Sequence, residues 1–295
     1  MSGPLQHADL PERLNLTEIE TLYRDPYAIF ARRVLKLDPL DPVDPALDAR
    51  ARGTVIHEAL ATYTATFARQ IPADAEATLL AFGRDAFAEI ARQDPEAVEF
   101  WWSRFERFVP WFVAWDRDRR MEIARLHAEV PGRLDLDLAG GRRLTLSTRA
   151  DRIEERTDGG MAIIDYKTGS PPGNKEVLKG LSPQLTLTAA LMARGAFPHP
   201  GIRTLAEGIH LSYLSVGAAD GEGKEHMIKA EQQPLAEVIE TQFAALITHL
   251  NEYATGTRGY RSHRIPKTKR YSSDFDHLAR HLEWSLGGDS ESDEP

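Results

Sequence analysis

Two stretches of alternating apolar and polar residues, 143–155 and 161–166, constrain this chain more than any other feature. Such alternation is typical of β-strands that bury one face, because successive side chains point to opposite sides of a strand. Asp158-Gly159-Gly160 lies between the two stretches and favours a tight turn. The sequence therefore predicts an antiparallel β-hairpin.

Helical patterns precede and follow the hairpin, and their order sets the fold class. Five helices are predicted before it, over 17–25, 27–35, 54–68, 75–92 and 96–126, the first with a capping box of Thr17 and Glu20. The other predicted elements are a strand over 129–138, a helix over 182–193, a strand over 209–216 and a helix over 233–255. This order predicts an α/β fold, a central sheet flanked by helices, with a helical block in front.

These elements predict one large domain between two less ordered ends. We expect a flexible lead-in over 1–13 and an acidic, disordered tail over 285–295. The domain between them, 14–284, would comprise a helical block to residue 128 and, from residue 129, an α/β core with closing helices.

Composition excludes several classes of site. The chain contains no cysteine, which excludes disulfides, thiolate zinc sites, cysteine nucleophiles and cysteine-held iron–sulfur clusters. Its net charge of −9 argues against a protein that coats nucleic acid through overall charge, although a local basic path would suffice for a nucleic-acid enzyme. No apolar run is long enough to cross a bilayer, and we find no signal peptide, so we expect a cytoplasmic protein without a membrane partner.

The second strand of the hairpin ends in a pair of opposite charges. Asp165 and Lys167 are two residues apart and therefore share a face of the strand. Pairing across the turn can bring Asp151 beside Asp165, and two adjacent carboxylates repel each other unless a cation lies between them. Hard oxygen ligands of this kind suit magnesium or manganese. Taken singly, each group could instead belong to a surface ion pair that contributes about 0–1 kcal/mol.

Two further polar residues stand near the predicted starts of helices. His57 follows Gly53-Thr54 and could supply an imidazole ligand, although a lone histidine at such a place is more often structural. Gln184 lies at the start of an otherwise apolar helix, where a cap or a solvent contact is the simpler interpretation.

Taken together and in order, these segments resemble a known family. The combination resembles the RecB-type branch of the PD-(D/E)XK nucleases, and most of all the C-terminal nuclease domain of AddB, a subunit of bacterial AddAB helicase–nucleases. The segments are Gly53-Thr54-x-x-His57, Ala150-Asp151-Arg152-Ile153, Ile164-Asp165-Tyr166-Lys167-Thr168-Gly169 and Gln184-Leu185, with weaker matches at Thr17–Glu20, Asp25-Pro26-Tyr27 and 271–284.

The resemblance implies a restriction-endonuclease-like mixed sheet and a role for each matching residue. His57, Asp151 and Asp165 would bind Mg²⁺, for which Mn²⁺ can substitute, helped by the backbone carbonyl of Tyr166. Lys167 would orient or deprotonate the attacking water, and Gln184 would belong to the family's motif behind the site. The implied activity is metal-dependent DNA hydrolysis in double-strand-break repair and recombination, with an AddA-like helicase–nuclease subunit as partner.

This sequence departs from the family pattern at three places. Thr188 stands where many relatives have tyrosine, and Thr148 where many have glycine. Asp25 stands at the first cysteine of the iron–sulfur cluster that many relatives hold, so we expect no such cluster here. Packing of the aromatic residues from Tyr23 to Trp115 with Trp284 would then have to join the N- and C-terminal segments.

Basic residues provide candidate contacts to DNA. Tyr260 and Tyr271 are interleaved with cations in 258–271, a pattern that suits a single strand, although a solvated loop explains it equally well. The candidate DNA-binding residues are Arg149, Arg152, Arg258, Arg261, Arg264, Lys267, Lys269 and Arg270.

Three functions follow from these observations as alternatives. The first is an exonuclease that degrades single strands supplied by a helicase. The second is a stand-alone nuclease of the CRISPR-associated or phage-exonuclease kind, and the third is a catalytically silent DNA-binding module. We find no Walker phosphate loop, so ATPase activity is not expected from this chain alone.

Overall fold

The computed structural model describes residues 10–40, 49–199, 202, 208–216, 222–262 and 274–279. The described helices are α1 (Leu16–Arg24), α2 (Pro26–Ile29), α3 (Ala49–Thr66), α4 (Ala75–Gln93), α5 (Pro95–Arg120), α6 (Asn174–Leu178), α7 (Gln184–Ala193), α8 (Leu235–Ala254) and α9 (Asp276–Ala279). The described strands are β1 (Arg13–Asn15), β2 (Ile123–Leu138), β3 (Arg142–Arg156), β4 (Met161–Lys167), β5 (Ile209–Ser215) and β6 (Lys224–Met227). A π-helical turn (Phe30–Val34) follows α2, and a 3₁₀ turn (Ala139–Gly141) joins β2 to β3.

The predicted hairpin and the predicted fold class are confirmed. β3 and β4 pair antiparallel, with Arg152 opposite Ile164 and Ile153 opposite Ile163. Gly159, at φ 92°, makes the turn between them. β4 pairs in parallel with β5, which pairs antiparallel with β6, so the central sheet is mixed and is flanked by helices.

The chain divides into two compact units, one of residues 44–133 and 148–242 and the other of residues 1–43, 134–147 and 243–295. β2, β3 and α8 each contribute residues to both units. The single domain expected over 14–284 stays a prediction. The lead-in at 1–9 and the acidic tail lie outside the described residues.

The larger unit buries β4 against the helices that precede the sheet. Ile164 and Tyr166 lie in one hydrophobic cluster with apolar side chains of α3, α4 and α5. The ring of Tyr166 packs edge-on against Phe112 of α5, with centroids 6.4 Å apart. Asp165 and Lys167 alternate with these apolar residues and occupy the opposite face of the strand. The alternation along β4 therefore packs one face of the strand against the helices and places its charged residues side by side on the other face.

The smaller unit begins with a short strand and a capped helix. β1 pairs in parallel with β3 around Leu14 and Leu146. The capping box is formed by Asn15 and Glu18, two residues before the predicted pair, because the helix already begins at Leu16. The helix ends at Arg24 with Asp25 as its C-cap, in agreement with the prediction, since the following proline disfavours further helix.

Contacts in the smaller unit join the N-terminal segment to the C-terminal one. The backbone N–H of Tyr27 donates to the carbonyl of Arg261 at 3.2 Å, and Arg32 forms an ion pair with Asp274 at 2.7 Å. Phe275 is buried against alanines of α2 and the π-helical turn. Tyr27, a member of the expected aromatic set, packs against this cluster, whereas the aromatic residues of α5 form the core of the larger unit. Trp284 lies outside the described residues.

Several predicted boundaries are wrong for identifiable reasons. α5 ends at Arg120 instead of 126, because the alternation of β2 already starts at Ile123. The N-cap of α7 is Pro183 and not Ser182, since the helix begins at Gln184. β1, α6 and β6 were missed because elements of three to five residues show no clear periodicity.

Among the described residues, no helix combines the length and the apolar composition needed to cross a bilayer.

Candidate active site

The site lies where β3 and β4 pair, because this pairing brings Asp151 close to Asp165. Continuing the register of the hairpin by one pair places Asp151 opposite Asp165. One carboxylate oxygen of Asp151, Oδ2, accepts a hydrogen bond from the backbone N–H of Tyr166 at 2.7 Å. The carboxylate of Asp151 is thereby held against the strand that carries Asp165 and Lys167.

His57 reaches this point from α3. Its Nε2 donates to the backbone carbonyl of Tyr166 at 2.9 Å, since a carbonyl oxygen can only accept. Its Nδ1 lies 3.4 Å from Oδ1 of Asp151. The structure therefore brings together the imidazole, the carbonyl and the two carboxylates that the sequence offered as metal ligands.

Glu129 of β2 is a further acidic residue at the site, and the sequence analysis missed it. Ligand atoms of His57, Glu129 and Asp151 all lie within 4.8 Å of one another. Glu129 has a φ of 51°, a left-handed conformation that costs about 1–2 kcal/mol for a residue with a side chain. Nothing in its local sequence singles it out, because only the pairing of β2 with β3 carries it to Asp151.

Lys167 and Gln184 are arranged around the carboxylate of Asp165. Lys167 Nζ lies 2.7 Å from Asp165 Oδ2 and donates to Gln184 Oε1 at 3.1 Å. Gln184 Nε2 donates to Asp165 Oδ1 at 2.6 Å. Gln184 therefore fixes the ammonium and the carboxylate at once. Thr188, in the place of the family tyrosine, donates its hydroxyl to the carbonyl of Gln184 within the helix.

The site carries more negative charge than its own cations balance. Burial and the charge of Asp151 raise the pKa of Asp165 to about 6, in spite of Lys167. Burial and Asp151 also raise the pKa of Glu129. Burial alone would lower the pKa of His57, but Asp151 and Asp165 outweigh it and raise that pKa. Three carboxylates around one imidazole, one carbonyl and one lysine fit a divalent cation, which would stabilise their ionised forms.

The structure contradicts the prediction that Arg152 contacts DNA. Its side chain is completely buried, with Nη2 2.7 Å from Asp116 and Nε 2.7 Å from Glu154, both also buried. Burial alone would lower its pKa, but Glu154 and Asp116 raise it further above its usual range. A guanidinium enclosed by two carboxylates cannot reach a phosphate, so Arg152 is a structural residue.

The other predicted DNA contacts are placed differently. Arg149 is exposed, on the strand that carries Asp151, and lies 3.6 Å from Glu129. In the smaller unit, Arg258 is paired with Glu252, and Arg261 is exposed. Outside the described residues lie Arg264, Lys267, Lys269 and Arg270, so they remain predictions.

Comparison with known proteins identifies the family. The sequence profile of the PD-(D/E)XK nuclease superfamily matches residues 13–270. The chain belongs to this superfamily. PD-(D/E)XK nucleases typically use divalent metals, in agreement with the cluster of acidic groups and histidine around Asp151.

The chain is similar to several longer proteins. An uncharacterized protein of Rickettsia bellii (strain RML369-C) is 30% identical over 187 residues, which are 63% of this chain and 22% of that protein. Uncharacterized proteins of Rickettsia felis (strain ATCC VR-1525 / URRWXCal2) and Rickettsia typhi (strain ATCC VR-144 / Wilmington) are each 29% identical over 212 residues, 70% of this chain and 24% of theirs. The chain thus spans about a quarter of the length of the curated relatives it matches.

Among solved structures, the crystal structure of SSO0001 aligns with 96% of this chain and 88% of its own chain. The sequence identity is 14% and the TM-score is 0.33.

A divalent cation is expected to stabilise the folded chain through His57. At a concentration 100 times its dissociation constant, a ligand that binds only the folded state adds about 2.7 kcal/mol to the free energy of unfolding. We expect Mn²⁺ to raise the melting temperature of the wild type, and His57→Ala to remove most of that increase. Glu58→Ala is the matched control, because Glu58 is the next residue of α3 and is exposed. Equal Mn²⁺-induced shifts in all three proteins would contradict a cation at His57.

Proposed function

We propose that this chain is a Mg²⁺-dependent deoxyribonuclease that hydrolyses phosphodiester bonds and acts as an exonuclease on single strands. One observation carries the proposal. A hairpin and a helix that are distant in sequence deliver His57, Asp151, Asp165 and Lys167 to a common point of the larger unit. Membership of the superfamily supports hydrolysis of nucleic acid, and the four groups supply the chemistry that such hydrolysis requires.

The cation would be held by His57, Asp151, Asp165 and the carbonyl of Tyr166, with the carboxylate of Glu129 also within reach. Mg²⁺ suits these oxygen-rich ligands, and Mn²⁺ can substitute for it. When bound, a cation of this kind lowers the pKa of water and stabilises negative charge on the phosphate.

The residues of the chain itself supply binding and orientation. The side chain of Lys167 is partly exposed, and its ammonium is held beside the carboxylates by Asp165 and Gln184. From there it can donate to a non-bridging phosphate oxygen and orient the attacking water. Because Gln184 is itself fixed by Asp165, the side chain of Lys167 is already ordered and loses little conformational entropy when the substrate binds.

A place in an AddAB-like complex for double-strand-break repair and recombination is part of this proposal. The motifs around His57, Asp151 and Asp165 resemble those of the AddB nuclease domain, and a role as one domain of a longer protein would agree with curated relatives that are about four times longer than the matched region. This chain has no cysteine with which to hold an iron–sulfur cluster. The AddA-like helicase–nuclease subunit would supply the unwound strand. A stand-alone nuclease remains the alternative, and copurification with a helicase would decide between them.

An assay of the unmodified chain tests the activity. Single-stranded DNA labelled at one end is incubated with the protein in Mg²⁺, in Mn²⁺ or in EDTA. We expect short labelled products in Mg²⁺ and Mn²⁺ and intact substrate in EDTA. Repeating the assay with the label at the other end gives the direction of digestion. Equal hydrolysis in EDTA would contradict the proposal, as would an intact substrate in both metals.

A further inference from the structure

The larger unit displays a group of aromatic and cationic side chains at the start of α5. We call it the α5 platform, and it consists of Arg52 of α3 with Phe100, Trp101 and Arg104 of α5. The mechanism proposed above uses none of these four residues. Their location, charge and exposure together indicate a ligand.

The α5 platform adjoins the end of β4. Arg52 Nη2 donates to the carbonyl of Thr168 at 3.1 Å, and Thr168 directly follows Lys167. Arg52 also precedes His57 by five residues of the same helix, which is about 7.5 Å along the axis at 1.5 Å per residue. A polymer whose phosphate lay at Lys167 would therefore pass close to Arg52.

The two arginines of the platform repel each other, and the described residues provide no carboxylate counterion for either. Burial and the charge of Arg104 lower the pKa of Arg52. Within the part of the chain that the structure describes, no carboxylate forms an ion pair with Arg52 or Arg104. The Nε of Arg52 is buried and has no hydrogen-bond acceptor there. An anionic oxygen near the two guanidinium groups would relieve their repulsion.

Phe100 is the solvent-facing ring of the platform, whereas Trp101 is buried. Phe100 is 55% exposed, although most large apolar side chains of α5 are buried. The guanidinium of Arg104 lies 4.4 Å from the centroid of the Phe100 ring, and that of Arg52 lies 5.9 Å from the Trp101 ring. An exposed ring beside a cation can stack an unpaired base while the adjacent phosphate is neutralised.

We propose that the α5 platform binds one nucleotide of a single strand next to the scissile bond. Arg52 and Arg104 contact its phosphate, and Phe100 stacks on its base. This inference rests on the proposed function, because it takes nucleic acid as the substrate. It adds a structural reason for single strands, since a base paired within a duplex does not offer its face to Phe100.

Binding measurements in EDTA test the platform without hydrolysis. Fluorescence anisotropy of a labelled oligothymidylate is measured for the wild type, Phe100→Ala and Arg104→Ala over a series of salt concentrations. Removal of one stacking contact is expected to weaken binding by about tenfold. Removal of one phosphate contact is expected to reduce the slope of log affinity against log salt by about 0.7. Matched controls are Met121→Ala, an exposed apolar residue, and Arg117→Ala, an exposed cation of α5, and both should behave like the wild type.

The outcomes separate this inference from the proposed function. The wild type could bind the strand in EDTA without ever cleaving it, while both platform variants bind it more weakly. This result would support the platform and contradict the nuclease activity. A wild type that cleaves, with platform variants equal to the controls in affinity and salt slope, rejects the platform alone. If the platform variants lost binding to an acidic protein while their binding to DNA stayed unchanged, the surface would belong to that protein partner and the platform proposal would also be wrong. Thermal unfolding of each variant shows that the exposed substitutions leave the fold intact.

Discussion

Asp165→Asn is expected to reduce the turnover number for single-stranded DNA by about 10³-fold or more, with little change in fold. Loss of one preorganised group that stabilises transition-state charge commonly costs 10²- to 10³-fold in turnover. Asp165 has two such tasks, because it offers a carboxylate to the cation and also holds Lys167 at 2.7 Å. The amide of asparagine has the same shape but performs neither task.

The stability of Asp165→Asn separates lost chemistry from lost structure. The pKa of Asp165 in the folded protein, about 6, lies above its usual value of 3.8, because burial and Asp151 disfavour the charge. Folding therefore favours the protonated form, and the ionised form reduces stability as pH rises through this interval. At pH 8 and without metal, the free energy of unfolding of Asp165→Asn should be no lower than that of the wild type.

Asp158→Asn is the control for this substitution. Asp158 lies in the turn of the same hairpin, and its side chain is 57% exposed. Its turnover number should equal that of the wild type. If Asp165→Asn kept a tenth or more of the wild-type turnover number, Asp165 would be neither a metal ligand nor the partner of the catalytic lysine.

Arg152→Met is expected to lower the free energy of unfolding by about 3–5 kcal/mol, which is far more than Arg156→Met on the same strand. The substitution leaves Asp116 and Glu154, both completely buried, without their shared cation. Arg119 and Arg120 reach the same carboxylates from α5 and would compensate only in part. Chemical denaturation measures the change, and Arg152→Lys should restore some of the loss by returning the charge without the forked geometry.

Arg156→Met provides the comparison on the same strand. Arg156 pairs with Glu122 and Asp158, whose side chains are 65% and 57% exposed. Pairs of this kind contribute about 0–1 kcal/mol, so the substitution should have little effect. Equal losses for Arg152→Met and Arg156→Met would show that the buried ion pairs make no special contribution.

The predictable part of the site was the part encoded by local periodicity. Alternation along β4 placed Asp165 and Lys167 on one face, and the Asp-Gly-Gly turn set the hairpin that brings Asp151 to them. His57 came from the family resemblance, because no local pattern shows which side of a helix will pack against which strand. Glu129 was missed for the same reason, since its approach to Asp151 depends on pairing between distant strands.

Arg152 shows how a residue type can mislead when its position is ignored. Arg152 is predicted from the sequence as a DNA contact, a role that would suit the usual exposure of arginine side chains. Its neighbour Asp151 faces the cluster, so alternation directs Arg152 to the opposite side, where its partner across the hairpin is the buried Ile164. The strand period thus pointed to burial, and only the acidic partners, Asp116 and Glu154, could not be anticipated.

Tyr166 is the residue through which the helices control the geometry of the charged groups. Its N–H holds Asp151, its carbonyl receives His57, and its ring is wedged against Phe112. Copying the four reactive side chains onto another scaffold would therefore reproduce the composition of this centre but not its geometry. A successful transplant would need the main chain of β4 together with the aromatic layer beneath it.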